Sequence, residues 1–184
     1  MSFFAHIQYN SYVILSYFFL SLFVLFLERV TKKKSTYFFS SSRGNLFSIV
    51  TYLRMFTHIL GHENWTHFQN NFIYILLVGP MIEEKYGSIN LLKMILLTAF
   101  ITGLINAIIS KNSIQGGSGI SFMLILLSSL VNIQSGKIPL TLILIFFFFV
   151  ASEIIDGIFK KDNISHLSHL IGSICGLIYG YYLF

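Results

Sequence analysis

"IQGGSGISFMLILLSSLV", residues 114–131, sets one serine among three glycines and then runs on through an uncharged, strongly apolar stretch. Gly116, Gly117 and Gly119 leave the Ser118 hydroxyl without a bulky neighbour. The run behind it suits a helix in hydrocarbon, where the backbone must satisfy its own polar groups. The same character extends over all 184 residues, which are 55% hydrophobic, 17% aromatic and only 10% charged, with a mean hydropathy of +0.75. An average soluble domain carries about 25% charged residues, so the composition points to an integral membrane protein.

A spanning helix needs roughly 20 mainly apolar residues. Polar breaks divide the chain into six expected spans at 12–27, 67–82, 89–109, 118–133, 138–155 and 166–184. They imply an all-α bundle that forms a single membrane domain over 1–184. The alternating ten-residue segments of a β-barrel are absent. The connection 28–66 is by far the longest. It opens with "KKKSTYFFSSSRGN" and continues as "LFSIVTYLRMFTHILGHENW", mixing apolar and aromatic residues with Arg54, His58 and His62. That pattern predicts an interfacial segment with Trp65 at headgroup level. The "FFFF" tract at 146–149 reads as lipid-facing bulk. Tyr12 to Leu27 has neither a basic residue before it nor a small-residue cleavage site after it, so it is expected to remain as the first span.

The formal net charge of +5 is carried by basic residues in the loops, with one cluster at Lys32, Lys33 and Lys34. These are read as membrane-surface anchors, and no nucleic-acid partner is expected. Cys175 is the only cysteine and lies in an apolar run, which suits a buried structural thiol.

Polar residues inside spans are the informative exceptions, because each needs a partner or a function to offset its desolvation. The second span opens with "HFQNNF", carrying His67 and Asn71; the fourth opens with Ser118; the sixth opens with "HLSHLIG", carrying His166 and His169. Even-numbered spans of an antiparallel succession cross in the same direction. Their N-terminal ends therefore share one face, and His67, Asn71, Ser118 and His169 come to one depth. His67 and Asn71, four residues apart, project from one helix side. From His169 a stripe of Gly172, Gly176 and Gly180 invites close packing by a neighbouring helix.

A neutral histidine is well matched to take the proton of a weakly nucleophilic serine. Ser118 and His169 can form such a pair, and the unpaired amides of the first helical turn can meet an oxyanion beside Asn71 and His67. Asp156 and Asp162 precede His169 by more than a turn, so a dyad is expected rather than a triad. Blander readings stand beside these. Gly-Ser-Gly can serve packing alone, a membrane histidine can simply bridge helices, and Glu83, Glu84 and Lys85 read as a solvated helix end. His58 and His62 have the spacing of a metal-ligand pair, but only Glu63 stands near to complete it, so neither a metal nor a cofactor is expected.

Taken together, "HFQNN", "EEKYG", "GGSG" and "HLIGSICG" resemble, in order and position, the motifs of the rhomboid family of intramembrane serine proteases. The resemblance implies a six-helix bundle with Ser118 as nucleophile and His169 as general base. It also implies that His67, Asn71 and the Ser118 amide stabilise the oxyanion, and that the substrates are transmembrane segments of other proteins. Some positions depart from the family pattern. Phe122 stands where a tyrosine often packs on the histidine, Leu53 precedes Arg54 where tryptophan is common, and Ser168 precedes His169. Richness in Phe, Ile, Asn and Lys points to an AT-rich bacterial genome, and with the resemblance the expected location is the bacterial plasma membrane, as a multi-pass protein. The family's usual orientation would leave nine of the twelve basic residues towards the outside, against the positive-inside rule. A non-catalytic rhomboid-like protein that binds membrane clients is the alternative reading.

Overall fold

A computed structural model describes residues 8–110, 112–131, 137–159 and 166–182. These residues are helical apart from short turns, loops and one isolated antiparallel bridge between Ser41 and Ile114. The helices are α1 (Tyr12–Val30), α2 (Ile49–Thr57), α3 (Trp65–Tyr86), α4 (Ser88–Ile109), α5 (Ser118–Ser128), α6 (Leu140–Ile145), α7 (Ala151–Phe159) and α8 (His166–Tyr182). A π turn, Phe146–Val150, joins α6 to α7 as one rod, Leu140–Phe159.

Among the described residues three helices are long and apolar enough to cross a membrane: Tyr12–Val30, Ser88–Ile109 and Leu140–Phe159. Their large side chains point outward. Phe19, Leu20, Phe23 and Phe26 on α1, and Phe147 and Phe148 in the rod, are all more than half exposed. Such a surface is stable against acyl chains and untenable against water. Phe149 alone of the four-phenylalanine tract turns inward, packing on the cluster of Ile125, Leu126 and Val150. The main core lies between α1, α3, α4, α5 and α8. There Phe68 and Phe72 pack with tilted rings 4.6 Å apart in one cluster with Ile75, Met123, Leu124 and Leu127.

The fourth expected span departs from its predicted length. α5 stops at Ser128 and the chain turns through Ser129 to Val131; residues 132 and 133 lie outside the described residues, as do Asp162 and 183–184. The hydroxyls of Ser128 and Ser129 donate back to the Ile125 and Leu126 carbonyls, competing with continued helix. Eleven residues make a helix about 16 Å long, roughly half a bilayer core.

Glu83 corrects another expectation. It is buried rather than solvated, and its carboxylate accepts from Ser11 Oγ, from the Val13 and Ile14 amides, and from Ser88 Oγ at 2.6 Å. One side chain thus accepts from the orphan donors at the N-terminus of α1 and ties it to the end of α3. Gly87 follows at φ +81°, a left-handed turn that lets α4 begin at once.

The long first connection is folded. Lys34–Phe39 forms a 3₁₀ turn, and α2 buries Thr51, Arg54 and Met55 while Ile49 and Leu53 face outward. The Arg54 guanidinium donates to the Ser40 carbonyl at 2.7 Å and to Ser42 Oγ at 2.8 Å, and lies 4.3 Å over the Tyr37 ring. Gly103 of α4 admits the backbone of Met55, since a Cβ there would stand 2.6 Å from its Cα.

Candidate functional site

The approach to Ser118 is held from several sides. Ser41 and Ile114 exchange backbone hydrogen bonds of 2.9 and 2.7 Å, and the Gly116 amide donates to the His58 carbonyl at 2.9 Å. Gln115 reaches the Glu28 carboxylate of α1. His62 is fully buried; its Nδ1–H donates to the Leu60 carbonyl, which leaves Nε2 to accept from the Gly117 amide at 3.4 Å. Burial pushes its pKa down to about 3, with the neighbouring His67 adding to the effect. The ring therefore stays neutral, which its acceptor role requires. His58 is likewise lowered to about 4, chiefly by burial, and donates from Nε2 to the Ala99 carbonyl. Both of these histidines brace the loop, and Glu63 beside them is exposed.

Gly116 has φ +119°, where other residues are strained. A Cβ there would also meet His67 Nε2 at 2.8 Å and Asn71 Nδ2 at 3.2 Å. The two polar residues of α3 thus lie against the loop two residues before Ser118. Asn71 is buried and its Nδ2 makes no hydrogen bond. An orphan donor of this kind costs about 1–3 kcal/mol and calls for an acceptor from elsewhere.

Ser118 opens α5, so the first amides of that helix lack intrahelical partners. α8 comes in closely on the other side. A Cβ at Gly172 would stand 2.0 Å from the Gly119 carbonyl oxygen, and one at Gly176 would stand 2.4 Å from that of Met123. This backbone contact brings the turn carrying His169 alongside the turn carrying Ser118. The His169 ring stacks flat on Phe122, with centroids 4.4 Å apart and planes within 7°. Beside Ser118 lies a cavity of about 20 Å³, lined in part by His58, Thr102, Gly116 and Ser168, with room for one water.

The sequence reading missed Glu153. It sits on α7 three residues after Val150, which packs inward on Ile125 and Leu126, so the carboxylate faces the same way. Its Oε2 lies 2.6 Å from His166 Nδ1 and 2.8 Å from His169 Nδ1. The carboxylate thus stands against the Nδ1 side of both imidazoles. The run "FFFFVASEIIDGIF" carries two carboxylates, Glu153 and Asp156, and an acidic residue in so apolar a stretch was the available signal.

Helices with lipid-compatible surfaces, enclosing a buried polar site at the start of a short helix, define a membrane protein of the helical-bundle class. The rhomboid domain model matches residues 50–184, and the chain belongs to that family. It is 24% identical over 132 residues to rhomboid-like protein 11, chloroplastic, of Arabidopsis thaliana, an alignment covering 64% of this chain and 47% of the plant protein. It is 25% identical over 131 residues to rhomboid protease GlpG of Haemophilus influenzae, covering 70% of this chain and 68% of that protein. The chain is thus an integral membrane protein of a family that includes serine proteases and acts on membrane-protein substrates.

Proposed function

We propose that the chain is an intramembrane serine endopeptidase, a single six-span domain over 1–184 in a bacterial plasma membrane, that cuts other proteins in or near their transmembrane segments. Three helices are long and apolar enough to span, and α3, α5 and α8 would complete the bundle around the site. The observation that carries the reading is the meeting of α3, α5 and α8 at Gly116 to Gly119, with the unbonded Asn71 amide turned to that loop. Because α5 is only about 16 Å long, a helix footed at one membrane face holds its first residue near mid-depth. That length supports hydrolysis inside the bilayer.

In the proposed reaction His169 Nε2 takes the Ser118 hydroxyl proton as Oγ attacks the scissile carbonyl carbon. The oxyanion so formed accepts from Asn71 Nδ2, from His67 and from the Ser118 amide. Collapse breaks the C–N bond, and the imidazolium returns its proton to the leaving amine. Water then attacks the acyl-serine with His169 again as base, and the small cavity beside Ser118 can supply it. Glu153 is a positioning residue in this scheme, holding the Nδ1 side of His169 and making the expected dyad a triad. No cofactor enters any step.

A fluorophosphonate probe should label the purified wild-type protein, and Ser118→Ala and His169→Ala should not label. Equal labelling of wild type and Ser118→Ala would sink the assignment. A wild-type protein that neither labels nor cuts a model transmembrane substrate, in detergent and in bilayers, would favour the client-binding alternative.

A further inference from the structure

We propose that Glu153, His166 and His169 form a zinc site that switches the serine chemistry off. The inhibitory part rests on the role proposed above for His169; the metal site itself does not. Among the described residues this is the one cluster whose ligand atoms converge, with Glu153 Oε2 and the Nδ1 atoms of both histidines all within 4.8 Å of one another. The side chains are 11–17% exposed, so they are enclosed but reachable by an ion. His58 and His62 belong to no such cluster among the described residues.

Two elements build the site. His166 and His169, three residues apart, project from the first turn of α8, and Glu153 reaches across from α7. The π turn at Phe146–Val150 adds a residue to its turn and sets the phase of everything after it, Glu153 included. A second observation points to a ligand. His169 is 8% exposed, and its Nδ1 faces into the cluster, 2.8 Å from Glu153 Oε2. Phe122 stacked on the ring limits its rotation, as a support for a metal-binding imidazole should.

Two imidazoles and one carboxylate are a donor set for zinc, with a fourth position left to water, whereas magnesium and calcium prefer oxygen. Ligands about 2.0–2.1 Å from a tetrahedral ion stand about 3.3 Å apart. The present 2.6 and 2.8 Å separations therefore need to open by only a fraction of an ångström to about 0.7 Å. Zinc on Nδ1 takes the lone pair there and obliges the single proton of a neutral imidazole to sit on Nε2. An Nε2 that carries a proton cannot accept one from Ser118. Occupancy thus removes the general base without moving the nucleophile.

The test separates binding from activity. Chelator-stripped Ser118→Ala protein, full-length and in detergent, is dialysed against zinc and assayed for bound metal. Stoichiometric zinc is expected, weakened at least about tenfold by adding His166→Ala or Glu153→Gln, with no comparable retention of magnesium. In the second arm zinc should suppress fluorophosphonate labelling of wild type, and chelator should restore it. The zinc concentration for half suppression should rise at least about tenfold in His166→Ala, scored against that variant's own zinc-free labelling. His166→Asn replaces it if the alanine variant does not purify as a monodisperse protein. Absence of stoichiometric zinc, or suppression of equal potency in the His166 variant, overturns the site. A wild type that never labels defeats the protease reading alone and leaves the dialysis result to decide the metal site.

Discussion

At the scale of single residues, Asn71 is the side chain whose surroundings ask most plainly for a ligand. Asn71 Nδ2 is buried and unbonded against Gly116, an arrangement that wastes energy in a purely structural amide. If it meets the oxyanion, Asn71→Ala should lower kcat about 10²-fold with KM little changed, measured on a model transmembrane substrate. Asn71→Asp, of similar size but without the donor, should be no better. Glu153 acts at one remove. Glu153→Gln should lower kcat about tenfold, and Glu153→Asp should recover part of the loss, because orientation of a general base contributes less than the base itself. A loss expressed only in protein yield would assign Glu153 to folding. Glu83, in contrast, is structural. Glu83→Gln weakens several hydrogen bonds at the α1 N-terminus and should cost about 1–3 kcal/mol in detergent unfolding, with labelling of the folded fraction unchanged.

At the scale of elements, the α5 and α8 pair sets the alignment of the site. Neighbouring helices in lipid gain nothing from apolar burial alone, so close backbone approach through small residues matters more than in water. A Cβ at Gly172 would stand 2.0 Å from a backbone oxygen of Gly119, which cannot swing away as a side chain can. Gly172→Ala should therefore cost about 1–3 kcal/mol and reduce labelling at Ser118 even where the protein still folds. Thermal unfolding read beside probe labelling checks both parts. The glycine stripe was legible in the sequence because its spacing keeps one helix face bare. The early end of α5 was not, because Ser128 and Ser129 look like ordinary polar interruptions until their hydroxyls are seen to bond backward.

At the scale of the whole molecule, two neutral histidines buried under the first connection tie stability to pH. The pKa values of His58 and His62 fall from 6.5 to about 4 and about 3, so on acidification the unfolded chain takes up protons that the folded chain refuses. Folded stability is therefore full above about pH 6.5 and declines as pH falls towards those lowered values. At pH 5 each histidine should have cost about 2 kcal/mol, seen as a lower unfolding midpoint than at pH 7.5. His62→Gln, which keeps a donor and an acceptor, should flatten the dependence by about half. An unchanged slope would remove His62 as its source.

Composition and the positions of rare polar residues were enough to establish a helical membrane protein and to predict one level for His67, Asn71, Ser118 and His169. Both depend on one-dimensional information: which residues lipid tolerates, and which way alternate helices run. The inward turn of Glu153, the burial of Glu83 and the bracing roles of His58 and His62 depend instead on helix phase and on contacts between residues far apart in the chain. A π turn re-phases α7, and a carboxylate counted as part of an apolar run becomes the neighbour of two imidazoles. Such pairings are decided in three dimensions, because a side chain's partner is set by the rotation of the helix that carries it.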